Sequence, residues 1–267
     1  MQEENMKSLA KTFDILDLFL KGNYTLSVTE ISKILNLNKT TVSRILSKLE
    51  KRGYLRQIEK RGKFVLGTIF LEFSGIVKSQ LKLREIALPF LFELNRLVKE
   101  SVIIGVWDRR QDVITETFHE ASYTESPLKV VPDEGISIPL FCTCLGKIIL
   151  ADMSEDELNN YFLKNTLKQR TTKTIVDIDS IKKQLVTIRK EGIAFDGEEY
   201  ALGVLGIASG IKDSKGKICG SVGILAPSAR RSHSKMLELA PILKKFAYNI
   251  SKQLGYQENK PNNNHFN

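Results

Sequence analysis

Apolar positions recur at helical spacing through the first fifty residues. The segment from Ser8 to Gly22 places Leu9, Phe13, Leu16 and Leu20 three and four apart, which predicts an amphipathic helix with Gly22 as its C-cap. Ser27-x-x-Glu30 is a capping box opening a second, shorter helix with Ile31, Ile34 and Leu35 on one face. After the turn Asn36-Leu37-Asn38, a third helix runs from Asn38 as N-cap to Gly53 as C-cap. YLRQI and KFVLG then read as two strands around the turn Glu59-Lys60-Arg61-Gly62.

The third helix has two unlike faces. At about 100° per residue, Ser43, Arg44, Ser47, Lys48 and Lys51 fall within roughly 80° of Thr40, while Val42, Ile45, Leu46 and Leu49 gather on the opposite side. Small hydroxyls let a backbone come close, and Lys or Arg reach phosphates and guanine edges, so the polar face suits a major groove. Two short helices, a tight turn and a basic hairpin together predict a winged helix-turn-helix.

Farther along, a connecting helix is expected at Leu71 to Gln80, then a helix in LREIALPFLFELNRLVKES with Ile86, Phe90, Leu94 and Leu97 on one face and Pro89 within its first turn or two. SVIIGVWD and DVITETFHE read as strands around Arg109-Arg110-Gln111, and PLKVV as another before Pro132. Helices are expected in CLGKIILADM, SEDELNNYFL and IDSIKKQLVTIRKEG. A hairpin turns at Asp213-Ser214-Lys215-Gly216, and one closing helix spans Ser234 to Leu254. This mixture predicts an α+β body with an antiparallel sheet. The expected organisation is a DNA-binding domain at 1–70, a linker helix at 71–82, a ligand-binding and oligomerisation domain at 83–256, and a disordered, Asn-rich tail at 257–267.

Charge sharpens the reading. The chain of 267 residues carries a net +9, and the 26 residues from Asn38 to Lys63 hold nine Lys and Arg against Glu50 and Glu59, a net +7. The remainder is nearly neutral, so one basic module sits on a neutral body, the distribution expected when only one part meets a polyanion. The alternative is a small helical bundle with a solvated basic face. Lys39, Thr40, Thr41, Ser43 and Arg44, at the helix's N-terminal end, are assigned to the groove of a double-stranded DNA operator; Lys48, Lys51, Arg52, Lys60, Arg61 and Lys63 are assigned to phosphates.

Other chemistry is sparse. No apolar run reaches the ~18–20 residues of a membrane span, and the start MQEENMKSLA lacks an apolar leader, so no membrane partner and a cytoplasmic location are expected. Three cysteines and three histidines give neither a disulfide framework nor a zinc set, and no cofactor or metal is expected. There is no P-loop, no G-x-S-x-G and no H-E-x-x-H, and Cys142-Thr143-Cys144 is a C-x-C, which argues against an enzyme and for cysteines as small apolar fillers.

The run SLAKTFDILDLFL, then LSVTEISKILNLNKTTVSRILSKLEKRGYL and KFVLG, resembles the winged helix-turn-helix of the IclR family of bacterial transcriptional regulators. IPLFCTCLGKIILA, IRKEGIAFDGEEYALGV and GSVGILAPSAR are similar, in order and spacing, to that family's GAF-like effector-binding domain. The resemblance covers about residues 8 to 254 and implies a regulator, more often a repressor, that forms a homodimer or homotetramer, reads a pseudo-palindrome and answers to a small, often carboxylate-bearing effector. From the residues themselves, Phe141 to Gly146 leads into a helix whose free N–H groups form an anion cradle, or is an ordinary buried helix start capped by Thr143. The resemblance places effector-contacting amides at Cys144 and Leu145 and a pocket acid at Asp196, which otherwise is a simple turn residue. Where the family's metabolite binders often carry a cysteine and serines, this chain has Gly206, Gly223 and Leu225. The pocket is therefore expected to be roomier and more apolar, a poor fit for a small oxo-acid such as glyoxylate and a better one for a larger, partly apolar ligand. A ligand-independent structural DNA binder is the alternative.

Overall fold

The computed structural model describes residues 2–20, 25–58, 62–80, 82–108, 112–120, 127–133 and 135–257. The chain divides into two compact units, 1–80 and 81–267.

In the first unit, helices α1 (Gln2–Leu20), α2 (Val28–Ile34) and α3 (Lys39–Lys51) precede a hairpin of β1 (Leu55–Gln57) and β2 (Phe64–Leu66), and α4 (Ile69–Gln80) follows. Its core joins Ile15, Phe19, Ile31, Leu46, Leu55 and Phe64. The predicted stripe of α1 is displaced. Ile15, Leu18 and Phe19 are buried, whereas Leu9, Phe13 and Leu20 are 55%, 57% and 79% exposed. The helix carries two apolar stripes, and the core takes the shorter one. On α2, Ile31 is buried but Ile34 is exposed. The Ser27–Glu30 capping box is present, with the Ser27 N–H donating to Glu30 Oε2 at 2.7 Å and the Glu30 N–H to Ser27 Oγ at 3.3 Å. The expected C-cap of α1, Gly22, lies outside the described residues, as do Lys60 and Arg61 of the hairpin turn, the Arg109-Arg110-Gln111 turn, and the tail beyond Gln257.

The second unit opens with α5 (Lys82–Val98), β3 (Ser101–Asp108), β4 (Val113–Glu120), β5 (Ser137–Pro139), α6 (Cys144–Asp152), α7 (Glu155–Lys164) and α8 (Ile178–Glu191). It closes with β6 (Ala194–Gly197), β7 (Val204–Lys212), β8 (Ile218–Pro227), α9 (His233–Leu237) and α10 (Ala240–Gln253). The six strands form one antiparallel sheet in the order β5-β4-β3-β8-β7-β6. Alternation along the strands divides the core in two. Val102, Ile104, Ile207, Val222 and Ile224 join the apolar sides of α5 and α10. Ile103 and Ala208 join α6 and α8 on the other face.

Four expectations are corrected here. PLKVV, at 127–131, is not a strand: the Leu128 carbonyl accepts from Arg230 Nη1 rather than from a neighbouring strand, and the sheet edge is β5 instead. Asp196 is not a simple turn residue: the AFDG stretch is a strand, β6. The closing helix is two helices, because Pro241 in the first turn of α10 has no N–H to continue the ladder from α9. On α5 the buried stripe is Leu83, Ala87, Leu91, Leu94 and Val98, and Leu97 is 52% exposed; Pro89 stands at the end of the second turn.

Candidate functional sites

The first site is the outer face of α3. Val42, Ile45, Leu46 and Leu49 are buried as the periodicity requires, which turns Lys39, Thr40, Ser43, Arg44, Ser47 and Lys48 outward. With Val28 of α2 these six residues line one open concavity. Thr41 stands beside this surface, half-buried. Gly53, at φ 79°, ends the helix: its N–H donates to the Glu50 carbonyl and the Tyr54 N–H to the Leu49 carbonyl, so the chain turns directly into β1. Asn38 holds the N-cap backbone conformation without a side-chain hydrogen bond, and no acid stands in the first turn, so no carboxylate competes for the helix's positive end.

Lys63 has a partner that the sequence did not suggest. Its Nζ lies 3.3 Å from Glu30 Oε1, which ties the hairpin to α2. The Glu30 carboxyl is held down to about 2, first by the Ser27 N–H and hydroxyl and then by Lys63.

The second site is a cavity of about 230 Å³ in the C-terminal unit. Thr143, Cys144 and Leu145 bring the start of α6 to it, Asp196 comes from β6 and Leu225 from β8, so five of the seven sequence-predicted residues line one cavity. Thr143 Oγ1 accepts from the Gly146 N–H at 3.0 Å and donates to the Pro139 carbonyl at 3.0 Å, which fixes the helix start. Helix geometry gives the Leu145 N–H no acceptor within α6. The rest of the lining is largely apolar, with Val130, Val131, Ile136, Ile138 and Val204. Ile138 and Val204 lie in the stretches that carry the resemblance, whereas for Val130 and Val131 the only signal in the sequence was the V-V-P step at 130–132.

Gly206 and Gly223 are not lining residues, and the expectation of a roomier pocket is corrected. A Cβ on Gly206 would stand 2.7 Å from Cys144 Sγ and 3.0 Å from Leu225 Cδ2; one on Gly223 would stand 3.1 Å from Leu145 Cδ2. Side chains of α6 and β8 already occupy that space. With Gly105, Ala208, Gly210 and Ser221 on the same face, the glycines let α6 lie close on the sheet, and Ser221 Oγ donates to the Leu145 carbonyl at 3.1 Å.

Asp196 is 7% exposed, and its Oδ1 accepts from the Glu199 N–H at 2.7 Å. Burial pushes its carboxyl up to about 7, and the charge on Glu199 adds to the rise, against the Glu199 N–H and Lys147. Behind this wall Lys147, wholly buried on α6, forms an ion pair with Glu199, which is 5% exposed. Thr174 Oγ1 and Thr171 Oγ1 both donate to the Glu199 carbonyl and hold the turn. A lone lysine in the apolar run CLGKIILA was visible in the sequence; its partner, 52 residues on, was not. Cys142 is buried and its thiol pushed up to about 12 by that burial, so it has no thiolate to offer as a nucleophile.

Comparison with known proteins decides the family. The description "Bacterial transcriptional regulator IclR C-terminal" matches residues 76–252, and "IclR helix-turn-helix domain" matches residues 8–59. The chain belongs to the IclR family. It is 28% identical over 257 residues to the HTH-type transcriptional regulator KdgR of Escherichia coli, covering 96% of each chain. It is 26% identical over 253 residues to the E. coli regulator XynR, covering 94% of this chain and 98% of that one. The crystal structure of the Thermotoga maritima IclR matches with a TM-score of 0.69 at 29% identity, covering 94% of this chain and 100% of that one. This IclR-family chain is thus a DNA-binding transcriptional regulator and not an enzyme. No helix among its described residues is long and apolar enough to cross a membrane.

Proposed function

We propose that this regulator is a sequence-specific repressor whose hold on its operator is set by a small carboxylate-bearing effector in the C-terminal cavity. The reading is carried by one observation: the face of α3 left out of the core is an unbroken surface of Lys39, Thr40, Ser43, Arg44, Ser47 and Lys48. In a cytoplasmic homodimer or homotetramer, two copies of α3 enter successive major grooves of a pseudo-palindrome about 34–36 Å apart. Lys39, Thr40, Ser43 and Arg44 meet base edges, with Thr41 at their margin. Lys48, Lys60 and Arg61 meet phosphates, and Lys63 does so once its bond to Glu30 is exchanged. Thr143, the amides of Cys144 and Leu145, Asp196 and Leu225 receive the effector, whose different affinity for the DNA-bound and free states shifts the balance between them. One relative, 26% identical over 253 residues, is the E. coli transcriptional repressor AllR, which supports the repressor reading.

Gel-shift titration across a salt series tests the DNA assignment. Arg44→Ala costs about 1–3 kcal/mol and relaxes specificity at one base position, whereas Arg61→Ala weakens every sequence alike and lowers the salt slope by about one. If neither variant changes binding, the assignment of this face is wrong. The cavity favours this reading over a ligand-independent structural DNA binder, which would show little sequence discrimination and no response to any ligand.

A further inference from the structure

The cavity's own inventory narrows what fills it. Among the described lining residues there is no Lys, Arg or His; the polar ones are Asp133, Thr143, Asp196 and Tyr200. The Thr143 hydroxyl is occupied, donating to Pro139 and accepting from Gly146. Asp133 is exposed and water-screened, whereas Asp196 is not. A sugar acid would bury hydroxyls with few partners, and each one left unsatisfied weakens binding. The second carboxylate of a diacid would find no cation. A single carboxylate does find a place at the α6 N-terminus, beside Leu145, where the helix's positive end favours an anion. It must then share a 230 Å³ cavity with the buried Asp196, itself next to Glu199. The two negative charges repel in so small and apolar a space, which disfavours the ionised form of Asp196.

We infer that the cavity binds an apolar monocarboxylate together with one proton, and that Asp196 carries this proton and donates it in a hydrogen bond to the ligand's carboxylate. The inference rests on the effector-site reading above and adds the ligand class and the linked proton. The charged and titratable groups around Asp196 agree. Glu199 follows three residues later and donates its N–H to it, Lys147 acts on it from α6 and is engaged by Glu199, and Asp133 also lines the cavity. Cys142 is held as a neutral thiol, and Arg170 stacks on Tyr200 at 4.7 Å. Nearest to Asp196, one cation thus already pairs with Glu199, so an entering anion leaves one uncompensated negative charge when Asp196 is neutral and two when it is ionised. Its carboxyl, already pushed up to about 7 by burial, rises further beside a second anion. The apolar body lies against Val130, Val131, Ile136, Ile138, Val204 and Leu225, in a volume of about eight waters that suits a single ring or a branched chain.

Calorimetric titration of the full chain tests this with benzoate, phenylacetate and 4-methylpentanoate as probes, and gluconate and succinate as contrasts. Each is run in phosphate and in Tris, whose ionisation enthalpies differ, at about pH 6, 7 and 8. The expected result is binding of at least one apolar monocarboxylate with net proton uptake near and above pH 7, its affinity falling toward about tenfold per pH unit on the alkaline side. Asp196→Asn should bind the same probe with neither proton uptake nor pH dependence. Binding with equal enthalpies in both buffers overturns the linked proton and leaves the effector site standing. Preference for gluconate or succinate overturns the ligand class. Failure of every probe to bind overturns the carboxylate reading of the cavity, and this inference with it. The buffer comparison needs no variant, so a misfolded Asp196→Asn chain leaves the test intact.

Discussion

Replacing Lys147 by Met should damage the C-terminal unit far more than an ordinary Lys-to-Met change on a helix. The ammonium is wholly buried, it pairs with Glu199, and it makes a long contact of 3.5 Å with the Phe195 carbonyl. Met occupies nearly the same volume, so little of the cost comes from a cavity. It comes from Glu199, which keeps its burial and loses its counter-ion, while its Oε2 has no hydrogen-bond partner among the described residues even in the native chain. Breaking one side of a buried ion pair costs about 3–5 kcal/mol. For a unit of this size each kcal/mol moves the melting temperature by about 2–4 °C, so the expected loss is roughly 6–20 °C. Removing Glu199 as well, in Lys147→Met with Glu199→Leu, should recover most of this, because no charge is left behind and the Thr171 and Thr174 hydroxyls still hold the residue 199 carbonyl. Urea unfolding followed by fluorescence of Trp107, the chain's one tryptophan, reports on this unit alone. A loss under about 1 kcal/mol in the single variant, or a double variant no better than the single, would refute the claim that the pair carries its weight through a buried charge.

Three further outcomes are expected. Asp196→Asn should stabilise the unliganded chain in alkaline solution: the native carboxyl titrates at about 7 against an ordinary 3.8, so wild-type stability falls as pH rises between those values, by on the order of 4 kcal/mol at most, while Asn stays neutral throughout. Parallel denaturation curves from about pH 4 to 8 check this, and a constant gap between the two proteins would contradict it. Gly206→Ala should destabilise by about 1–3 kcal/mol, because its Cβ meets Cys144 Sγ at 2.7 Å, and Cys144→Ala in the same chain should return part of the loss; a neutral Gly206→Ala would mean the space is free after all. Arg230→Ala removes the guanidinium that spans the buried Glu100 and the Leu128 carbonyl; since Arg231 still reaches Glu100 at 2.9 Å, the cost should stay near 1–2 kcal/mol, and proteolysis should quicken at 127–133 rather than elsewhere.

The readings that held and those that failed differ in a physical way. On α3 polar and apolar residues are fully segregated around the helix, so period alone separated the buried from the exposed set. On α1 two apolar stripes compete, and spacing cannot say that Ile15 and Phe19 go inward while Leu9 and Phe13 stay out. Thr143 and Gly146 announced a helix start because a cap is a local bond three residues long. The Lys147–Glu199 pair joins residues 52 positions apart, and Val130 and Val131 meet Asp196 and Leu225 at one cavity only through the chain's long-range folding, which no local pattern records. β5 and β6, at three and four residues, were too short to show a period.

Gly206 and Gly223 mark the sharpest limit, because a glycine in a sequence records a missing side chain but not whether a neighbour has filled the gap. Here the neighbours are Cys144, Leu145 and Leu225, three of the residues that line the cavity. The small residues of β3, β7 and β8 let α6 settle on the sheet, and that depth sets where the N–H groups of its first turn meet the cavity. Packing and recognition therefore share the same atoms. A Cβ added beneath α6 lifts the helix start as it strains the core, so Gly206→Ala should weaken probe binding and stability together, and Cys144→Ala should restore them together. If stability returned while binding did not, the position of the helix start would not be what the glycines control.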